Sequence, residues 1–129
     1  MKVILKFVKI VTILIIIILA TYSFNYFFQL KIMKIKVPFF FGITHVKAVG
    51  DSMYPNIRSG SYLLIITQKE YMVGDVVCFY NSNNELITHR IIELCAETAK
   101  LKGDNITSEE HIVLNKSIVG KVVFNFNNV

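Results

Sequence analysis

Residues 10–30 read IVTILIIIILATYSFNYFFQL and contain no charged side chain. At a rise of about 1.5 Å per residue, a helix of this length extends about 31 Å, enough to cross a hydrocarbon core about 30 Å thick. A cleaved signal sequence has a shorter apolar region that ends in small residues. The aromatic residues that end this segment are typical of a bilayer boundary instead. The sequence therefore predicts an uncleaved transmembrane helix over residues 10–30.

Lysines flank this segment on both sides, in a short basic tail over residues 1–9 and a juxtamembrane segment over residues 31–37. They are Lys2, Lys6, Lys9, Lys31, Lys34 and Lys36. Without these six lysines, eight of the 14 basic residues remain, against nine acidic ones. The flanking lysines therefore account for the net charge of +5. A nucleic-acid partner is therefore not indicated. Because the lysines are equal in number on the two sides, charge does not decide the orientation in the membrane.

Residues 38–129 have the pattern of a small β-rich domain. Short stretches rich in β-branched and aromatic residues alternate with turns, and no amphipathic helix pattern separates them. The predicted strands cover residues 44–49, 61–67, 76–80, 87–94 and 118–126. The apolar run at residues 63–66 predicts a strand buried on both faces. We expect a mostly antiparallel β domain behind one N-terminal transmembrane helix.

Cys78 and Cys95 are the only cysteines and do not have CxxC spacing. Neither a zinc site nor a disulfide framework is indicated. We expect two buried thiols, with a single disulfide as the alternative in an oxidising compartment. No metal and no other cofactor is predicted.

Ser52 lies in the segment VGDSMYP, residues 49–55. The flanking glycine and proline favour a tight turn that presents the serine hydroxyl. A serine attacks at neutral pH only with a base within hydrogen-bond reach. His89 is the candidate base, because a histidine with its ordinary pKa of about 6.5 is largely neutral at pH 7. His45 and His111 are weaker candidates.

Four short blocks follow the apolar segment in a fixed order: Ser52-Met53-Tyr54-Pro55, Gly74-Asp75-Val76-Val77, Thr88-His89-Arg90-Ile91 and Lys102-Gly103-Asp104-Asn105. Together they resemble the signal peptidase I family, in the branch of the endoplasmic reticulum, archaea and some spore-forming bacteria that has histidine in place of a lysine base. The resemblance covers nearly the whole chain. It implies a membrane-bound serine endopeptidase that removes signal peptides from exported precursor proteins. The N-terminus would then be cytoplasmic and the catalytic domain would lie outside.

The resemblance also implies roles for individual residues. Ser52 would be the nucleophile and His89 its general base, while Met53 and Pro55 would bind the substrate. Asp75 is interpreted as a turn residue that precedes a strand.

Two residues are alternatives for the acid that orients the histidine. Asp104 matches the first aspartate of the family block. The family generally has a second aspartate six positions later, where this sequence has Glu110. Glutamate is longer by one methylene group and can do the same work, so Glu110 is favoured slightly for direct contact.

The residue two positions before the nucleophile departs from the family pattern. The family often has a serine there whose hydroxyl helps to stabilise the oxyanion, but this sequence has Gly50. Together with the absent second aspartate, this leaves a catalytically degenerate member that binds peptides, or supports a complex, as an alternative. A self-cleaving repressor-type peptidase is a weaker alternative, because such proteins pair serine with lysine, are soluble and commonly carry a DNA-binding region.

Overall fold

The computed structural model describes residues 1–31 and 36–127. The chain divides into two units, Met1–Phe41 and Gly42–Val129. Most of the expected juxtamembrane segment, namely residues 32–35, lies outside the described residues.

The first unit contains one helix, α1, over Lys2–Lys31. It is long and apolar enough to cross a membrane, and none of its residues is buried. The helix begins earlier than predicted, because the basic tail contains no glycine or proline to interrupt it. The hydroxyls of Thr12 and Thr21 donate hydrogen bonds to carbonyls one turn back, at 2.9 and 3.0 Å, which satisfies them without water.

The second unit is one antiparallel sheet. Its strands are β1 Ile43–Lys47, β2 Tyr62–Ile66, β3 Val76–Tyr80, β4 Leu86–Leu94, β5 Thr98–Lys102, β6 Glu110–Leu114 and β7 Ile118–Phe126. Their order in the sheet is β1-β2-β7-β3-β4-β5-β6, and every neighbouring pair is antiparallel. The last strand therefore lies in the middle of the sheet, and β1 and β6 are its edges. This confirms the predicted fold class.

Two details of the sheet differ from the sequence predictions. Strands β5 and β6 were not predicted. The run at residues 63–66 is not buried equally on both faces, since Leu63 and Ile65 are fully buried while Leu64 and Ile66 are half-buried. The strand therefore alternates like its neighbours.

The two cysteines also differ from expectation. Cys78 is buried, but Cys95 is exposed, and both thiols are free. Cys95 directly follows β4, at a turn, where its side chain does not reach the core. The prediction of a second buried thiol was wrong, and the alternative of a disulfide is not realised.

One face of the sheet carries the core, which is built from Val77, Phe79, Ile91, Ala99, Leu101 and Ile118. Facing residues in neighbouring strands share a side of the sheet. Val77 pairs with His89 in β4, and Leu101 pairs with His111 in β6. The register therefore directs both histidines to the core face, at the end of the sheet where the candidate site lies.

Candidate active site

Ser52 lies on a turn between β1 and β2. Gly50 has a φ of +86°, a conformation that glycine adopts readily and other residues rarely do. A serine at this position would be strained in the same backbone conformation. The turn is closed by two backbone hydrogen bonds, Tyr54 N–H to the Asp51 carbonyl at 3.1 Å and Ile57 N–H to the Met53 carbonyl at 2.9 Å.

Burial of Met53 and Ile57, with exposures of 3% and 6%, fixes this turn on the domain. Ser52 itself is half-buried. The predicted presentation of the serine on a tight turn agrees with this geometry.

The loop after β5 holds the serine turn from the other side. Asn105 donates its backbone N–H to the Ser52 carbonyl at 2.9 Å and its side-chain amide to the Asp51 carbonyl at 3.0 Å. A Cβ at Gly103 would lie 2.2 Å from the Ser52 carbonyl oxygen and 2.2 Å from Ser108 Oγ. Only glycine permits so close an approach. The glycine and asparagine of this block therefore position the serine turn.

His89 points from β4 into the same region and is 3% exposed. Its Nε2 lies 3.3 Å from Ser108 Oγ. Ser108 Oγ in turn accepts the Gly103 N–H at 3.2 Å, which leaves its O–H to donate to the imidazole. The other nitrogen, Nδ1, is buried and has no hydrogen-bond partner among the described residues.

Burial and, to a smaller extent, the neighbouring His111 lower the pKa of His89 to about 4, while the Asp104 carboxylate acts in the opposite direction. A buried imidazolium is disfavoured because it loses hydration. At neutral pH the ring is therefore uncharged and able to accept a proton.

Asp104 is committed to an ion pair. Arg90 donates Nε to Oδ1 at 2.8 Å and Nη2 to Oδ2 at 2.7 Å, and Asn56 donates to Oδ2 at 2.7 Å. The Arg90 guanidinium holds the pKa of this carboxyl below its usual value. Arg90 also donates to the Gly74 carbonyl at 2.8 Å. Through Arg90, Asp104 thus connects its own sequence block with the blocks that contain Arg90 and Gly74. Asp104 acts on His89 through its charge, and no hydrogen bond joins the two among the described residues.

Glu110 is the first residue of β6, next to His111. Since side chains alternate along a strand, it lies on the face opposite His89. There it forms salt bridges with Lys100 at 2.7 Å and Lys102 at 3.5 Å. The structure therefore does not bring Glu110 to His89.

Asp75 has a structural environment, as expected. It forms a salt bridge with Lys121 at 2.7 Å and accepts the Met72 N–H at 3.1 Å. These contacts fix the turn that precedes β3.

Ser52 and His89 line one cleft of about 640 Å³. Met53, Ser108 and His111 are also among its lining residues, whereas Asp104 and Glu110 are not. Pro55 is exposed, follows a cis peptide bond, and does not line the cleft. No group of residues suited to hold a metal ion occurs in the part of the chain that the structure describes.

Sequence reasoning missed Asn105 as a contact of the serine turn and Ser108 as the partner of His89. It also treated His111 as a weak candidate. Asn105 belongs to the recognised block, which was a usable signal. No sequence spacing points to Ser108. The face of the sheet on which His111 lies can be inferred only when the first residue of β6 is known.

Comparison with known proteins places the chain in a family. The model of the Peptidase S24-like family matches residues 41–123. Signal peptidase I W of Bacillus subtilis (strain 168) is 37% identical over 75 residues, which cover 53% of this chain and 40% of that protein. The match thus spans less than half of the relative's length. The resemblance deduced from the four blocks is confirmed: the chain belongs to the Peptidase S24-like family and is related to signal peptidase I.

Proposed function

We propose that this chain is a membrane-anchored serine endopeptidase that cleaves N-terminal signal peptides from exported precursor proteins. One observation carries the proposal: Ser52 and His89, from separate parts of the sequence, line the same cleft. The relationship to signal peptidase I supports a peptidase activity. The specific substrate class rests on that relationship together with helix α1.

In the proposed reaction, Ser52 Oγ attacks the scissile carbonyl carbon while His89 Nε2 takes the serine proton. The imidazolium then gives this proton to the leaving amine, and water repeats the sequence to release the acyl group. Ser108 donates to Nε2 in the free protein. We expect Ser52 to replace Ser108 when a substrate is bound, because hydrogen bonds of catalytic groups often tighten only in the complex.

Stabilisation of the oxyanion is assigned to the backbone N–H of Ser52. This group has no acceptor among the described residues, and Gly50 offers no side-chain donor. The loss of one donor costs about 3 kcal/mol of transition-state stabilisation in other hydrolases. We therefore expect slow turnover.

The substrate is proposed to bind as an extended chain along β1. This strand is an edge of the sheet, so its outer N–H and C=O groups are available to a peptide. Val46, Ala48 and Val49, at the end of β1 and just after it, line the cleft. By family resemblance, small side chains such as alanine would precede the scissile bond.

Helix α1 is proposed to anchor the domain beside translocated substrates, with the N-terminus in the cytoplasm and the sheet outside. Helix length and apolarity support a single membrane span. Reporter fusions after residue 127 test the orientation, and a C-terminus that reports from the cytoplasm would contradict it.

The activity is tested by precursor shortening, with the full chain in membranes or detergent micelles. Ser52→Ala and His89→Ala should each abolish processing. Ser82→Ala is the control, since Ser82 is exposed and lies outside the cleft lining. Undiminished processing by either cleft variant would contradict the proposed roles.

A second candidate function is peptide binding without cleavage. It is favoured by the hydrogen bond of His89, which goes to Ser108 and not to Ser52. The same assay separates the two functions, because a binding protein would retain a precursor on the membrane and leave it uncut.

A further inference from the structure

A second histidine lies beside the candidate base. His111 projects from edge strand β6, and its ring centroid is 5.2 Å from that of His89. Both rings pack against Phe79, at 5.8 Å for His89 and 5.4 Å for His111. Both histidines line the cleft. The packing of the three rings restricts how either imidazole can turn.

The Nδ1 atom of His89 lacks a partner that the proposed chemistry requires. When Nε2 takes the proton of Ser52, both ring nitrogens carry hydrogen, and Nδ1–H must donate to an acceptor. A buried donor left unpaired is destabilising, and more strongly so when it is charged. The resting structure gives Nδ1 no hydrogen bond within the described residues.

The two acids expected from the sequence do not meet this need. Asp104 is bound at both carboxylate oxygens, by Arg90 and Asn56. Glu110 lies on the opposite face with Lys100 and Lys102. The alternation that turns Glu110 away is the same alternation that turns His111 toward the core face.

We propose that His111 is the positioning residue for His89, with a neutral imidazole in the place that an acidic side chain holds in a Ser-His-acid triad. The inference rests on the proposed function, because it concerns the same base. A ring nitrogen lies about 1.1 Å from its ring centroid, so an N–H···N bond of about 2.9 Å corresponds to centroids about 5 Å apart. The observed separation of 5.2 Å fits such a bond after rotation of His111 about its second side-chain torsion, which is soft for histidine.

His111 can accept the Nδ1–H of His89 only when its own ring is neutral. A neutral ring has one nitrogen lone pair to accept Nδ1–H, whereas a protonated ring has none and repels the forming imidazolium.

The other charged groups around His89 and His111 come from the neighbouring loops and strands. Asp104 in the loop after β5 favours a proton on His89. Lys47 from β1, Asp51 from the serine turn and Glu109 from the loop before β6 line the cleft, while β3 presents the uncharged Val77 and Phe79. Lys100, Lys102 and Glu110 stand on the outer face.

The enzymatic test compares two substitutions in the full chain, measured as kcat and KM for a precursor across pH. His111→Phe keeps a ring against Phe79 but removes the acceptor, and should lower the plateau kcat about tenfold or more with KM changed less than twofold. His111→Asn restores a neutral acceptor and should stay within about threefold of wild type. Ser82→Ala, at an exposed residue outside the cleft lining, should leave both kcat and KM unchanged. A His111→Phe variant with the wild-type plateau kcat would overturn the inference, as would an Asn variant as slow as the Phe variant.

A second readout does not depend on turnover. In the full chain carrying Ser52→Ala, an NMR titration of the His89 ring should depend on His111, with the pKa of His89 raised by His111→Asn because the repelling charge is gone. An unchanged titration of His89 would contradict its interaction with His111, even if the variants lose activity for another reason. If Ser52→Ala processes precursor like wild type while the titrations are coupled, the proposed function fails and the interaction of the two histidines stands.

Discussion

The two faces of the sheet at β4–β6 use titratable residues in different ways. On the inner face, His89 and His111 are packed against Phe79, and burial lowers the pKa of His89 to about 4. On the outer face, Lys100 and Glu110 form a partly exposed ion pair. Strand alternation, and not proximity in sequence, therefore decides which titratable side chain can act on His89.

Gly103→Ala is expected to have the largest effect on the inner face, where it disturbs the position of the serine turn. The added methyl group would lie 2.2 Å from the Ser52 carbonyl oxygen and must displace the serine turn. A displacement near 1 Å can cost about 100-fold in rate, and overpacking about 1 to 3 kcal/mol of stability. Precursor shortening and chemical denaturation measure the two effects.

Gly74→Ala is the matched control. A Cβ there meets no atom within 4 Å, and only its φ of +96° is strained. We expect a loss of about 1 kcal/mol with processing retained. Equal losses of activity in the two variants would show that the contact at Gly103 does not matter.

Acid should destabilise the domain through the inner face. The pKa of His89 is about 4 in the folded domain and about 6.5 when unfolded, so the unfolded chain binds more protons between these values. The free energy of unfolding should therefore fall by about 3 kcal/mol as pH drops from about 6.5 to 4. Denaturation of wild type and His89→Gln across pH measures this. A His89→Gln variant with the same pH dependence would contradict the burial effect.

Asp104→Asn should give a smaller loss, because the substitution weakens the contacts with Arg90 and Asn56 but preserves the shape. Hydrogen bonds to charged groups contribute about 2 kcal/mol. The lowered pKa of Asp104 means that this contribution is present at neutral pH and is lost as pH falls through the pKa of the folded state. The variant should match wild type only in strong acid, and a constant difference at every pH would be inconsistent with this origin.

The smallest effect is expected on the outer face. Glu110→Gln removes an exposed ion pair with Lys100 and Lys102, and such pairs contribute little. Processing and melting temperature should match wild type. A large loss of kcat would show that Glu110 reaches the base, as the sequence pattern had suggested.

The sequence was sufficient where chemistry imposes a local pattern. The charge-free run at residues 10–30 predicted the helix, and glycine and proline around Ser52 predicted the turn. The strands with continuous β-branched or aromatic residues were also predicted correctly.

The missed features depend on packing between distant segments. The β5 sequence TAKLK has only two apolar residues, too few to indicate a strand by itself. Without β5 and β6, the face of Glu110 could not be known, and the six-residue spacing suggested a contact that alternation forbids. Ser108 reaches His89 only because the loop after β5 folds back at Gly103.

Ser52 is proposed to cleave signal peptides with His89 as its base. The most direct test is mass spectrometry of exported protein N-termini in cells carrying wild type or Ser52→Ala. We expect mature N-termini with wild type and uncut signal peptides, on a defined set of proteins, with Ser52→Ala. Identical sets of N-termini in the two cases would contradict it.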